Sequence, residues 1–168
     1  ERGCLLAASD DGWRTILKQT GAGIAVTGSG SATPAAILDN DTMSQMVETS
    51  DEWISTRTGI RQRHLADARL SLRAIATRAA REAIAMADLV PEDIDLIILA
   101  TSTPDDLFGT ASLVQADLGA SRAVAFDLTA ACSGFVFGLV TAAQYIRTGT
   151  FDNIVLIGGD ILSRWVDW

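Results

Sequence analysis

The chain has 168 residues and a formal net charge of −8, with 48% hydrophobic and 20% charged residues. The acidic balance argues against nucleic-acid binding, and no apolar run reaches the length of a membrane-spanning helix. One histidine and two distant cysteines form no metal-ligand pattern, so we expect reduced thiols and no metal site. Mean hydropathy is +0.25, which is apolar for a chain of this size and predicts extra buried surface at a subunit or domain interface.

The chain divides into two parts by its pattern. Residues 1–20 are predicted to be an N-terminal extension of unknown role, and residues 21–168 to form the folded unit. Residues 23–30 predict a strand that enters a Gly/Ser turn closed by Pro34. These glycines lack the dinucleotide fingerprint and the Walker lysine, so a structural turn is favoured over a phosphate loop.

Three helices are predicted before the central strands. The first is capped by Asn40 or Asp41 and runs to Val47, and the second covers 51–57 before Gly59. The third opens at Ser71 and stops before Pro91, with Arg73 facing outward. Its predicted apolar stripe consists of Ile75, Ala79, Ala83, Ile84 and Ala87.

The remainder alternates between strands and helices. Apolar runs at 94–100, 123–128 and 153–158 predict buried strands, and residues 110–118 predict a helix with Gly119 as its C-cap. Strands that alternate with helices are typical of an α/β layer with a parallel sheet.

Cys132 is the strongest candidate for chemistry. It lies where the strand at 123–128 passes through small residues into a helix. A cysteine in the first turn of a helix is close to unpaired N–H groups, which favour the nucleophilic thiolate. A buried structural cysteine is about equally compatible with this local pattern. The apolar face of the following helix is predicted to be buried and consists of Phe135, Val136, Leu139, Val140, Ala143 and Ile146.

Three stretches together resemble β-ketoacyl-[acyl-carrier-protein] synthase III. They are residues 48–61 (ETSDEWISTRTGIR), 100–109 (ATSTPDDLFG) and 129–135 (TAACSGF), with GGDILSR downstream at 158–164. The resemblance covers the chain from about Gly23 to its last residue, and residues 1–20 lie outside it.

The resemblance implies a thiolase-like fold with two similar α/β halves in alternating αβαβα layers, usually as a homodimer. This chain matches the N-terminal half, a mostly parallel sheet covered by helices. The family's catalytic His and Asn belong to the other half. His64 is not that histidine, and we expect it to be structural or exposed to solvent.

The resemblance also implies an acyltransferase activity. Cys132 would take an acetyl or another short acyl group from an acyl-coenzyme A, and malonyl-acyl-carrier protein would then undergo decarboxylative Claisen condensation. This reaction initiates type II fatty-acid synthesis. Coenzyme A is a substrate here, and no permanently bound cofactor is expected.

Six further residues take candidate roles from the same resemblance. Trp53 would stack on the adenine of coenzyme A, and Arg57, four residues on, would stack or pair with phosphate from the same helical face. Thr49 is a weaker candidate for the same nucleotide. Phe108 would close the acyl pocket of a partner subunit. Arg61 and Arg63 are candidates for a basic patch that meets the acidic carrier protein.

Two alternatives remain open at this stage. One is a starter-unit synthase of polyketide assembly with the same fold, and the other is a non-catalytic half-enzyme fragment that acts only in dimerisation. The first residues lack a basic segment followed by an apolar core, so we expect no signal peptide and a cytoplasmic location, or the plastid stroma in a photosynthetic eukaryote.

Overall fold

A computed structural model describes residues 23–167 of the protein. The α/β architecture predicted from the sequence is confirmed within this range. In chain order, the elements are β1 (Ala36–Asp39), α1 (Asn40–Ser44), α2 (Asp51–Thr58), β2 (Gln62–Leu65), α3 (Leu72–Met86), β3 (Leu96–Ala100), α4 (Ala111–Leu118), β4 (Val124–Leu128), α5 (Gly134–Arg147) and β5 (Ile154–Gly158).

The main sheet is parallel and has the strand order β4-β3-β5. Leu96 at the start of β3 pairs with Val124 on one side and Ile154 on the other. All five residues of β3 are buried, as its continuous apolar sequence predicts. A second, antiparallel pair joins β1 to β2, and neither of these short strands was expected from the sequence.

Helices cover both faces of the main sheet. Ile97 and Leu99 of β3 face the core formed with α3 and α4, whereas Leu96 and Ile98 face the core formed with α5. The alternation follows from the two-residue period of a strand. The described residues therefore form a three-layer α/β unit.

The buried face of α5 differs from the predicted one. The residues against the sheet are small, namely Gly134, Gly138, Ala142 and Ala143. A Cβ at position 138 would lie 2.5 Å from Leu156 Cδ1, so α5 packs closely on β5 here and a larger residue would require the Leu156 side chain to move. The prediction was correct for Ala143 and wrong for Phe135, Val136, Leu139 and Val140, which are exposed, whereas Ile146 is half-buried. The Phe135 ring nevertheless lies beside Gly158 of β5.

The predicted stripe of α3 is shifted as well. Of the five predicted residues only Ile84 is fully buried, and the sheet-facing set is Leu72, Ala76, Thr77, Ala80 and Ile84. Arg73, predicted to face outward, is partly exposed, and its guanidinium forms an ion pair with the Asp117 carboxylate of α4. This hydrogen-bonded contact joins α3 to α4. It also lowers the pKa of Asp117 from its ordinary value of 3.8.

Residues 23–34 form no strand, contrary to the prediction, and instead run over α3. A Cβ at Gly28 would lie 2.2 Å from the Ala83 carbonyl oxygen, and one at Gly30 would lie 2.2 Å from that of Ala79. These glycines therefore permit close backbone packing, in agreement with their interpretation as a structural segment.

The helix boundaries mostly follow the predicted signals. Ser50 caps α2, Ser71 caps α3, and Gly59 and Gly119 end α2 and α4. The first short helix is the exception. Asp39 caps it by accepting from the Thr42 N–H, and the helix ends at Ser44.

The helices of the described unit are short, and the N-terminal segment of the sequence is not part of that unit. No helix within residues 23–167 is long and apolar enough to cross a membrane. The predicted N-terminal extension, residues 1–20, lies outside the described residues.

The close approach of residues 28–30 to α3 gives a stability prediction. We expect Gly28→Ala to lower the free energy of unfolding by about 1–3 kcal/mol, because the added methyl meets rigid helix backbone. Thermal or urea unfolding measures the change. Gly23→Ala is the matched control, since nothing lies within 4 Å of the new Cβ there. Equal stability of the two variants would contradict the described packing.

Candidate active site

Three loops meet at the carboxyl edge of the parallel sheet. They follow β3 (residues 101–109), β4 (129–133) and β5 (159–163). The Thr129 hydroxyl donates to the Thr101 carbonyl at 2.9 Å, and the Thr101 hydroxyl donates to the Asp160 carboxylate at 3.1 Å. These bonds fasten the loops to one another at the edge where α/β proteins commonly hold their ligands.

Cys132 lies in the middle of these loops. It is the central residue of a 3-10 turn, Ala131–Ser133, that continues directly into α5. Its thiol is free and the residue is exposed. The predicted position in the first helical turn is therefore correct, and the alternative of a buried structural cysteine is wrong for the described residues.

The backbone before the thiol is strained. Ala131 has a φ of +45°, a left-handed conformation that costs a non-glycine residue about 1–3 kcal/mol. Gly134, the first residue of α5, is buried, and a Cβ there would lie 3.3 Å from the Ala100 Cβ. The helix therefore starts against the end of β3, while Cys132 just before it is exposed.

Asp127, the fourth residue of β4, joins the Cys132 strand to the Phe108 loop. Its carboxylate accepts hydrogen bonds from the Thr110 N–H at 2.8 Å and the Ala111 N–H at 2.6 Å. Gly109 has a φ of +89°, and a Cβ there would lie 3.2 Å from this carboxylate. The side chain of Asp127 thereby caps α4 from a neighbouring strand, a role that the sequence analysis missed.

Phe108 lies at an exposed tip above this anchored base. The side chains of Leu107 and Phe108 are 98% and 93% exposed. The base is held because the Asp105 N–H donates to the Thr110 hydroxyl at 2.8 Å, while the Asp105 carboxylate accepts from the Leu72 N–H at 2.9 Å. Two large apolar side chains on a fixed base are suited to insertion into another surface.

Trp53 and Arg57 come together on α2, as their spacing predicts. The Arg57 guanidinium carbon lies 4.6 Å from the centre of the Trp53 ring, a cation–π contact. Both side chains are exposed, and Thr49 lies half-buried in the turn before the helix. An aromatic base stacked between the two would need about 7 Å, two contacts of about 3.5 Å each. The guanidinium must therefore swing outward to admit one.

The structure shows no contact among Cys132, Phe108 and the Trp53–Arg57 pair. Two cavities lie elsewhere. One of about 760 Å³ lies between α3 and the loop after β5, and one of about 690 Å³ separates residues 24–30 from β5. Neither is lined by Cys132, Phe108, Trp53 or Arg57, so the described residues present these candidates on open surface.

The single histidine of the sequence, His64, has a contact within the fold. His64 lies on β2, and its Nδ1 is 2.6 Å from the Pro34 carbonyl oxygen, so it has a structural contact. Within residues 23–167 no group of three or more His, Cys, Asp or Glu side chains is placed to hold a metal ion.

Comparison with known proteins agrees with the resemblance read from the motifs. A sequence model of the 3-oxoacyl-[acyl-carrier-protein] synthase III family matches residues 126–168, which include Cys132. The chain is 71% identical over 146 residues to the β-ketoacyl-[acyl-carrier-protein] synthase III of Trichormus variabilis, covering 87% of this chain and 44% of the relative. It is 65% identical over 148 residues to that of Microcystis aeruginosa, covering 88% of this chain and 44% of the relative.

Over most of its length, this chain is similar to about half of a β-ketoacyl-[acyl-carrier-protein] synthase III.

Solved structures of synthase III have the same fold. The enzyme from Aquifex aeolicus aligns with a TM-score of 0.82 at 48% identity, covering 84% of this chain and 46% of that one. The priming β-ketosynthase of the R1128 polyketide pathway aligns with a TM-score of 0.81 at 31% identity, covering 84% and 43%. The thiolase-like fold class is therefore confirmed. The chain spans about half the length of the relatives it matches.

The Asp127 contacts generate a prediction about this edge of the sheet. Asp127→Ala leaves two N–H groups at the start of α4 without their charged acceptor, and we expect a loss of about 1–3 kcal/mol of unfolding free energy. Hydrogen exchange at the Thr110 and Ala111 amides should rise. Asp127→Asn, which retains one acceptor oxygen, should lose less. Unchanged exchange at both amides in the alanine variant would contradict the cap.

Proposed function

We propose that this chain forms part of a β-ketoacyl-acyl-carrier-protein synthase III and supplies its acyl-accepting cysteine. The observation that carries the proposal is the exposed Cys132 thiol in the turn that opens α5, at the edge where three loops are tied together. The 71% identity to a synthase III supports the same reaction.

In the first half-reaction, the Cys132 thiolate attacks the carbonyl carbon of an acetyl or other short acyl thioester. A C–S bond forms, and the carbonyl electrons move onto oxygen. The Cys132 N–H, at the start of the helix, is the candidate donor to that oxyanion. The oxyanion then collapses and expels the coenzyme A thiolate, which takes up a proton. The acyl group remains on Cys132.

In the second half-reaction, malonyl-acyl-carrier protein loses carbon dioxide and its carbanion attacks the acyl-cysteine. The Cys132 thiolate leaves, and a β-ketoacyl thioester is released. By the family resemblance, the His and Asn that would stabilise the enolate belong to the second half of the synthase. The single histidine of this sequence, His64, instead contacts the Pro34 carbonyl.

The nucleotide of coenzyme A is proposed to bind at α2. The exposed Trp53 ring offers a stacking surface for adenine, and base stacking on an aromatic side chain contributes about 1–3 kcal/mol. Arg57, once displaced from the ring, can cover the other face of the base or pair with phosphate. Thr49, in the preceding turn, is the weaker third candidate.

The surfaces of the described unit support a larger assembly. The apolar face of α5, with Phe135, Val136 and Val140 half or more exposed, needs a cover in water. We propose that the second α/β half of the synthase packs on it, and that the Phe108 tip closes the acyl pocket of a partner subunit in a homodimer. Arg61 is exposed enough to meet an acidic carrier protein, whereas Arg63 is bonded to Asn40.

A polyketide starter-unit synthase is the second candidate function. The TM-score of 0.81 to the R1128 priming ketosynthase favours it, and the identity of only 31% weighs against it beside 71% for the synthase III relative. Competition between acetyl-coenzyme A and longer acyl-coenzyme A substrates distinguishes the two functions.

The test uses a hybrid synthase, in which the matching 146 residues of this chain replace their counterparts in the Trichormus variabilis relative. We expect condensation of acetyl-coenzyme A with malonyl-acyl-carrier protein and parallel double-reciprocal plots, since one cysteine serves both substrates in turn. Cys132→Ser should lower kcat at least about a thousandfold.

The unsubstituted relative serves as the positive control for the assay. Full activity of the Cys132→Ser hybrid would refute the assignment of Cys132 as the covalent acceptor. Intersecting double-reciprocal plots for the hybrid that retains Cys132 would refute it as well.

A further inference from the structure

Helix α2 carries Trp53 and Arg57 but is weakly anchored by apolar packing. None of its eight residues is fully buried, and Ile54 is half-buried. An isolated helix of this length is unstable in water, and most helical stability in proteins comes from packing of an apolar face. Contacts at the ends of α2 therefore have to contribute to holding it in place.

Asn40 supplies contacts at both ends. Its side-chain Nδ2 donates to Asp51 Oδ1 at 2.7 Å and to the Ile60 carbonyl at 2.8 Å. Asp51 is the first residue of α2, and Ile60 follows its C-cap, Gly59. One amide group thus joins the beginning and the end of the helix.

The same amide is fixed on its other side. Asn40 Oδ1 accepts from the Arg63 guanidinium at 2.9 Å, and the Asn40 N–H donates to the Arg61 carbonyl at 3.2 Å. Asn40 is 1% exposed, so a lost partner would leave a buried polar group unsatisfied. The Arg61–Asp51 ion pair at the rim is 3.5 Å long and largely exposed, and such pairs contribute little.

We propose that Asn40 is a positioning residue for substrate recognition by the synthase. Through Asp51 and Ile60 it sets where α2 presents the Trp53 ring and the Arg57 guanidinium. It touches no substrate itself. The inference rests on the proposed function, because it assigns α2 to the nucleotide of the acyl-coenzyme A.

Asn40→Asp is the sharpest variant because it keeps the size of the side chain. It removes both donated hydrogen bonds and places a second carboxylate against that of Asp51. Arg63 still pairs with a carboxylate at this position, which favours a folded variant. The double variant Asn40→Asp/Asp51→Asn exchanges donor and acceptor and restores the bond to α2.

In the hybrid synthase, we expect Asn40→Asp to raise KM for acetyl-coenzyme A about tenfold, with kcat within about twofold. This is the size expected from losing roughly one base-stacking contact. KM for acetyl-pantetheine, which lacks the nucleotide, should not change. Trp53→Ala should likewise raise KM for acetyl-coenzyme A without changing KM for acetyl-pantetheine. The double variant should bring KM for acetyl-coenzyme A at least part of the way back. Asp39→Ala, which removes only the neighbouring cap of α1, should leave both thioesters unaffected.

The positioning role would be overturned if Asn40→Asp raised KM equally for both thioesters. It would also be overturned if Asn40→Asp changed neither KM while Trp53→Ala raised KM for acetyl-coenzyme A alone. Hydrogen exchange of the full chain decides the structural step separately. Asn40→Asp should raise exchange of the α2 amides at 54–58 and leave those of α3 at 76–84 protected. If Trp53→Ala changes neither KM, the nucleotide site of the proposed function fails, and the exchange result still shows whether Asn40 holds α2.

Discussion

The parallel pairing of β3 with both β4 and β5 is the constraint on which the candidate site depends. β3 is buried along its whole length and pairs with both neighbours over the same five residues. The carboxyl ends of the three strands therefore lie at the same edge of the sheet, and the loops after them can hydrogen-bond to one another. Thr101 takes part in two such bonds, with Thr129 on one side and Asp160 on the other. A slip in the register would separate the Cys132 turn from both loops.

The packing of α5 then decides which way Cys132 faces. Small residues bring the helix close to β5, and Gly134, its first residue, lies against Ala100 at the end of β3. The backbone accepts a left-handed conformation at Ala131, one residue before the sulfur. Cys132 is exposed just before the helix, and Phe135 and Val136 in its first turn are half or more exposed.

Local signals predicted much of this arrangement. The apolar runs predicted the three parallel strands, and Gly59, Ser71 and Gly119 marked helix ends where the structure has them. The position of Cys132 followed from a strand that runs through small residues into a helix. The pairing of Trp53 with Arg57 followed from helical spacing.

The features that could not be predicted from the sequence depend on tertiary contacts. The period of α5 shows an apolar face, but which face meets the sheet depends on how closely β5 can approach, and Gly138 lies against the Leu156 side chain there. Residues 23–30 have a strand-like pattern, yet Gly28 and Gly30 pack against α3 backbone instead. Asn40 and Asp127 look like ordinary helix-cap and strand residues, because their bonding partners lie 11 to 23 and 16 to 17 positions away.

The first half-reaction tests the central claim most directly. Intact mass of the hybrid synthase should be measured before and after incubation with acetyl-coenzyme A alone, with the Cys132→Ser variant in parallel. The account predicts a gain of one acetyl group that is absent from the variant. No gain in the unsubstituted protein, or an acetyl group retained by Cys132→Ser, would contradict it.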